Sequence, residues 1–437
     1  MLSDATLRRV LRSDRSVALW GDLIRAGIAG GVVIVLLVVL IYYTEVVRVM
    51  LDKLHMNDFG KFYYSARVYL EGGDMYAPTV ATAIPLPNGE TREFLNMNPP
   101  HFQLLMLPLA MLPPSTAFAV WWGLSLLCAA VTGWLISREL QLQWKAAGAL
   151  WAALFIVASA ATGTVLATGQ LTFLLVLPLT VAWIDARHGH WNRAAYTLGF
   201  LASVKPFFGI FAVYLLLARK LSALVRLLAT VVTITLAGVV IVGPEPYRAW
   251  VKVLSAVDWA WAPMNGALLG LLTRTLAPNP FFRPLAIAPE LITPLWLVGI
   301  ALVCASTFWI LLRDRTRQAD RAFSGLLLTA QLVSPLGWVY YLWFAIGPAV
   351  AVARGKRPSG HSLPAVLLLL ASLGLFYPHV LTIAGGDRQW VGFTLGSVYA
   401  WSTLFLWGAW LSYCAVLLHS SSQRLDVLRP LSQAADR

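Results

Sequence analysis

A chain of 437 residues that is 59% hydrophobic and only 12% charged is not a water-soluble globular protein, in which about a quarter of residues carry charge. Its many runs of roughly 18 or more apolar residues can each cross a ~30 Å hydrocarbon core, and the short alternating segments of a membrane β-barrel are absent. The net charge of +13 does not indicate nucleic acid, because the basic residues sit in short loops between apolar runs, a pattern that reports orientation across a membrane. The sequence therefore predicts an all-α polytopic membrane protein.

In chain order, residues 1–25 form a charged leader, expected to be cytoplasmic. The first apolar run, Ala26 to Tyr43, has no small-residue cleavage site, which predicts a retained membrane helix rather than a signal peptide. The basic clusters "RRVLRSDR", "SREL" to Lys145, "DARHGHWNR", "RK" to Arg226, "RDRTRQADR", "ARGKRPSGH" and the tail 419–437 are assigned to the cytoplasm. Outer loops follow by alternation: a large one over 45–101, a short one around "TGTVLATGQ", a second large one over 244–289, and a third at "YPHVLTIAGGDRQWVG". Two stretches carry cytoplasmic signals at both ends, Arg193 to Arg219 broken by "VKPFFG" and Arg321 to Arg354 broken by "SPLGW". Each predicts a pair of helices turning at its proline near the outer face. Irregular backbone at membrane depth persists only when buried in protein or lining a wet cavity, so Lys205-Pro206 and Ser334-Pro335-Leu336-Gly337 both indicate an outward cavity. The count is about twelve crossings with both termini cytoplasmic. "FQLLMLPLAML", Phe102 to Leu112, is too short to span and is expected to be half-inserted. No internal repeat or soluble domain is apparent, so the chain reads as a single membrane domain. The three cysteines, Cys128, Cys304 and Cys414, lie in apolar segments and read as small buried hydrophobes.

The first outer loop is chemically the richest. Asp58 stands near its start, Lys61 and Arg67 follow, then Tyr64 and Tyr69, and "EGGDMYAP" is a turn. A carboxylate at the bilayer edge, beside cations and tyrosines, can act as a general base next to an anion site; the plain structural alternative is a solvated Asp58–Lys61 pair on an interfacial helix. Asn98 and His101, in the "NMNPPHF" segment that turns the chain back to the membrane, are candidates for substrate contact. Lys205, inside an apolar stretch next to a proline, must snorkel, meet an anion or satisfy freed carbonyls. Gln170 in "ATGQLTF" would sit at the same outer level, as a contact or a simple amide cap. Trp338, Tyr340 and Tyr341 follow the second break and could stack on a sugar or merely anchor the interface. Arg274, Arg283 and Arg388 are weaker candidates for a phosphate. His55 and His101 have no metal-ligand spacing, and there is no D-x-D pair, P-loop or G-x-S-x-G; no metal or cofactor is expected.

In order, "NDFGKFYYSARVYLEGGDMYAP", "MNPPHFQLLMLPLAMLP", "ATGQLTFLLVLPL", "GFLASVKPFFGIFAVYLLLARK" and "LVSPLGWVYYLWF" resemble glycosyltransferase family 87 over roughly Asn57 to Phe344. The resemblance implies the GT-C membrane fold and an inverting transferase. It implies a sugar, often mannose, taken from a polyprenyl phosphate to a lipid or glycan hydroxyl on the outer face of the plasma membrane, with Asp58 as catalytic base. Tyr340 and Tyr341 depart from the pattern, since actinobacterial members that elongate phosphatidylinositol mannosides have a histidine pair there. Two rivals remain. A transporter or flippase of lipid-linked saccharides would show paired broken helices in matching halves, and a non-catalytic assembly scaffold would leave the charged loop without purpose.

Overall fold

The structure, a computed structural model, describes residues 57–86, 88–143, 156–314, 316, 318–355 and 362–435, with single positions 30, 37 and 41. Nearly all of the expected leader and first membrane helix, His55, Lys145 and most of the "ARGKRPSGH" loop lie outside the described residues. What is described is mostly helical, with one small hairpin. The order is α1 (Asn57–Leu70), β1 (Ala83–Pro85), β2 (Thr91–Glu93), α2 (Pro100–Ala110), α3 (Pro114–Glu139), α4 (Ala160–Thr168), α5 (Thr172–Arg187), α6 (Trp191–Val204) and α7 (Ile210–Leu217). There follow α8 (Leu221–Val242), α9 (Glu245–Ser255), α10 (Leu268–Leu276), α11 (Ile292–Arg313), α12 (Ala319–Val333), α13 (Ile346–Arg354), α14 (Leu363–Leu375) and α15 (Val398–Ala435). Among the described residues four segments, Pro114–Glu139, Leu221–Val242, Pro289–Arg313 and Leu395–Leu418, are long and apolar enough to cross a membrane. Large apolar side chains stand exposed along them, such as Val240 and Leu302, a surface that only lipid or another apolar partner covers cheaply.

Both expected breaks are present. α6 ends at Val204, a 3₁₀ turn covers Pro206–Gly209, and α7 leads back. α12 ends at Val333, and a 3₁₀ segment Val339–Ala345 feeds α13. "TGTVLATGQ" differs from expectation, because it is helix rather than loop. Thr164 and Thr168 turn their hydroxyls onto Ala160 O and Thr164 O, both at 2.8 Å, so both hydroxyls are satisfied within the helix. The loop shrinks to Gly169-Gln170-Leu171. Gly169 has φ +65°, and a Cβ there would stand 2.5 Å from Phe59 Cβ, so only glycine closes α4 this tightly. Of the cysteines, Cys414 is buried while Cys128 and Cys304 are half-buried.

At the other ends of these helices the acidic and basic residues interlock. Arg187 joins Glu139 of α3 at 2.5 Å to Asp320 of α12 at 2.9 Å, Trp183 Nε1 donates to Asp320 at 2.9 Å, and Arg354 donates to Leu140 O. Glu139 and Leu140, Arg187, Asp320 and Arg354, each from a different basic cluster, thus gather at one end of the bundle, as loops on one side of a membrane should. Arg187→Met would leave Glu139 and Asp320 without their shared cation, at a cost on the order of 2 kcal/mol for a partly exposed network. A clearly lower melting temperature in detergent is expected; an unchanged one would contradict the network's role.

Candidate active site

At the opposite end, α1 lies on the bundle and carries the first candidates. Phe59 and Phe62 are buried at 0% and 3% exposure against Phe118, Trp121 and Phe102, with ring centroids 5.1–6.0 Å apart, each worth about 1.5–3 kcal/mol of burial. Asp58 sits in the helix's first turn, where the macrodipole favours a carboxylate. Both of its oxygens are engaged: Lys61 Nζ lies 3.3 Å from Oδ1, and Gln170 Nε2 donates to Oδ2. The Gly169 turn makes this possible by pressing Gln170 against α1, and Trp121 Nε1 fixes it through Gly169 O at 2.8 Å.

These groups open onto a cavity of about 190 Å³ whose wall includes Asp58, Lys61, Asn98, Gln170, Lys205, Trp338 and Tyr340. Seven of the eleven sequence candidates, from five separate segments, therefore meet. Lys61 stands over the rings of Phe94 and Trp259, 5.6 and 5.9 Å from their centroids. The Lys205 ammonium has no hydrogen-bond or ion-pair partner among the described residues, and Asp58 and Lys61 share the cavity wall with it. Asn98 donates to Asn96 Oδ1 at 2.9 Å, while its own Oδ1 and Gln170 Oε1 are buried without partners among the described residues. A buried polar atom left this way costs about 1–3 kcal/mol, so the wall holds an unpaired cation suited to an anion, with two unsatisfied acceptors beneath its surface.

The other four candidates are not brought to the wall. Arg67 pairs with Glu71 at 2.8 Å and donates to Ala110 O at 3.2 Å, sealing the end of α2 together with Tyr63, whose hydroxyl donates to Leu112 O at 2.7 Å. Tyr64 packs edge-on against Tyr63. His101 bridges Tyr247 OH at 3.0 Å and Ser203 O at 2.9 Å, taking up a carbonyl that Pro206 helps to free at the end of α6; burial pushes the imidazole below its ordinary range. Tyr341 stacks on Phe207 at 4.9 Å behind the wall.

Residues 244–289, expected to form the second outer loop, contribute what sequence reasoning missed: Trp259, Ala262 and Met264 line the cavity. Trp259 stacks on Trp338 at 5.6 Å, and Trp338 on Tyr340 at 6.1 Å, giving a continuous aromatic face. The density of aromatics in "VDWAWAP" was the available signal. Asn265 holds this loop to the second break, donating to Ala260 O and Pro335 O at 2.8 and 2.9 Å and accepting from Ala267 N and Gly337 N at 3.1 and 3.0 Å. Arg274 is wholly buried and is no phosphate ligand. It donates to Ser397 Oγ, Ala262 O and Asn265 O at 2.8–3.0 Å, and burial lowers its guanidinium to about 9. Arg283 and Arg388 are exposed and away from the wall. The rim is tied by Arg92 of β2 to Asp258 at 3.0 Å. Among the described residues no group of three or more His, Cys, Asp or Glu is gathered for a metal.

The model of glycosyltransferase family 87 matches residues 96–336, from Asn96 beside the cavity to Leu336 in the second break. The chain belongs to glycosyltransferase family 87. Together with its apolar helices, membership makes it a multi-pass membrane protein. Asp58 lies ahead of the matched span and joins the family's segment through Gln170. The chain is 26% identical over 271 residues to a polyprenol-phosphate-mannose-dependent alpha-(1-2)-phosphatidylinositol mannoside mannosyltransferase of Mycolicibacterium smegmatis. That alignment covers 58% of this chain and 57% of the relative, so the chain spans little more than half the length of the curated relative it matches. No solved structure matches it.

Asn265→Ala would strand two carbonyls and two amides of the family's core. The expected loss is about 2–4 kcal/mol, with faster backbone hydrogen exchange at both 259–266 and 334–339. Exchange that rises in only one of the two segments would show that Asn265 does not join them.

Proposed function

We propose that this protein is an inverting membrane glycosyltransferase that moves a hexose, mannose in the first instance, from a polyprenyl-phosphate donor to a hydroxyl of a lipid or glycan acceptor on the outer face. The observation that carries this reading is the meeting of Asp58 and the unpartnered Lys205 in one cavity. Family membership and the relative, whose name includes polyprenol-phosphate-mannose dependence, support the reaction class. The topology belongs to the same proposal: a single GT-C-like membrane domain, about twelve crossings, with the broken stretches 191–217 and 319–354 counted twice and the ion-pair layer facing the cytoplasm of a plasma membrane. α5, with 16 residues, is about 24 Å long. The cavity floor at Gln170 then lies just inside the far edge of a ~30 Å hydrocarbon core, within reach of a donor headgroup.

In this scheme Asp58 removes the proton of the acceptor hydroxyl as its oxygen attacks the anomeric carbon from the side opposite the phosphate. Gln170 keeps the carboxylate aimed into the cavity. Lys205 binds the donor phosphate, and its charge offsets the negative charge that grows on the leaving oxygen. The Trp259–Trp338–Tyr340 face packs against the sugar ring. Tyr64, Arg67, His101 and Tyr341 act from behind the wall as supports.

The test is sugar transfer from polyprenyl-phosphate mannose by purified protein in detergent. Asp58→Asn is expected to lower transfer by at least about 100-fold with the donor still bound. Lys205→Ala is expected to weaken donor binding by about 10- to 100-fold, the worth of a charged hydrogen bond. Transfer that persists in Asp58→Asn moves the base elsewhere. Donor bound but not transferred by the wild type, across hexoses and acceptors, favours a transporter.

A further inference from the structure

Glycosyl transfer as written above employs Asp58 and Lys205 and leaves Lys61 unassigned. Among the described residues, the charged side chains of the cavity wall are Asp58, Lys61 and Lys205. Tyr340 in the wall, with Tyr341 behind it at 5.1 Å, is neutral at pH 7 by its ordinary range. With the carboxylate ionised and both lysines protonated, the wall carries one net positive charge. A polyprenyl-phosphate sugar is a phosphodiester with one negative charge, so the bound state is balanced.

Transfer moves the charges without changing their sum. The acceptor O–H bond breaks and its proton goes to Asp58. The acceptor oxygen bonds to the anomeric carbon, the carbon–oxygen bond to phosphate breaks, and that electron pair stays on the phosphate oxygen. The carboxylate becomes neutral while the diester becomes a monoester with two negative charges. Balance survives locally only if the cation that had faced Asp58 now faces the phosphate. Lys61 is placed for this change of partner. Its 3.3 Å approach to Oδ1 is longer than the 2.7–2.9 Å of a tight charge-assisted bond, whereas the other oxygen is held by Gln170. The faces of Phe94 and Trp259 attract an ammonium without neutralising it, so the cation keeps a resting place between its two anions.

We propose that Lys61 is a catalytic residue that pairs with Asp58 before transfer and with the departing phosphate as Asp58 takes up the acceptor's proton. This rests on the glycosyl-transfer reading of the site. It has a consequence for binding alone. Asp58→Asn mimics the protonated carboxylate, so its wall carries two positive charges and matches the product's phosphate better than the wild type does.

The experiment is equilibrium binding of a polyprenyl monophosphate and of its mannosyl diester to the full chain in detergent at pH 7, where the monoester is largely a dianion because its second pKa is about 6. Asp58→Asn is expected to bind the monoester on the order of tenfold more tightly than the wild type, with a smaller change for the diester. Adding Lys61→Met should abolish the gain, and Lys61→Arg should retain it. Diester binding, which Lys205 sustains, reports that each variant is folded. A wild type that binds neither lipid overturns the donor-site reading itself. A wild type that binds the diester, with no gain for the monoester in Asp58→Asn, overturns the exchange of partners alone. A gain that survives Lys61→Met removes Lys61 from it.

Discussion

A helix interrupted inside a membrane leaves backbone amides and carbonyls that lipid cannot satisfy, and this molecule resolves that demand twice at the same cavity. At the second break, Asn265 engages both sides of its amide, Gly266 N donates to Gly337 O at 2.7 Å and Val339 N to Met264 O at 3.0 Å. The segment around residues 259–266 is therefore sewn to residues 334–339, and Trp259 and Trp338 face one space. At the first break His101 takes Ser203 O, and the lysine two residues on is left with nothing to hold. One break is tied to a neighbouring segment through Asn265 and two backbone bonds; the other presents a cation unpaired among the described residues.

The electrostatics of the cavity follow from that difference. A carboxylate at the edge of a low-dielectric region needs compensation, and Asp58 receives it from Gln170 and Lys61 while remaining partly exposed, at 24%. Lys205 then supplies charge in excess of what Asp58 requires. The aromatic face removes water from the same space without offering a hydrogen bond to every hydroxyl. An anion joined to a polyhydroxylated ring is the ligand chemistry that such a wall suits.

Much of this was legible in the residues. Asp58, Lys205, Gln170, Trp338 and Tyr340 stand out because each is polar, charged or aromatic beside a backbone interruption in apolar sequence, and burial makes such residues costly unless they are used. Arg67 and His101 satisfy the same description and instead serve helix ends, because a side chain that closes an orphan carbonyl and one that meets a ligand have identical local sequence. Trp259 and Asn265 were hidden because their importance comes from tertiary pairing with residues more than 70 positions away. "TGTVLATGQ" has the composition of a loop, but it folds as helix up to Thr168, with its threonine hydroxyls satisfied on the helix's own carbonyls and Gly169 fitting against Phe59. The ion-pair layer illustrates the opposite case: basic loops predicted to share a side do converge, through Arg187, Glu139 and Asp320.

The central claim, a donor site at the outer end of the bundle, is tested most directly by one labelling measurement. Ile84, half-buried at the cavity rim, is replaced by cysteine in a chain whose three native cysteines are substituted, and the protein is placed in sealed vesicles of known orientation. A membrane-impermeant thiol reagent is expected to label position 84 from the outer side alone, and polyprenyl-phosphate mannose is expected to slow that labelling. Labelling only from the cytoplasmic side, or at a rate indifferent to the donor, would contradict the account.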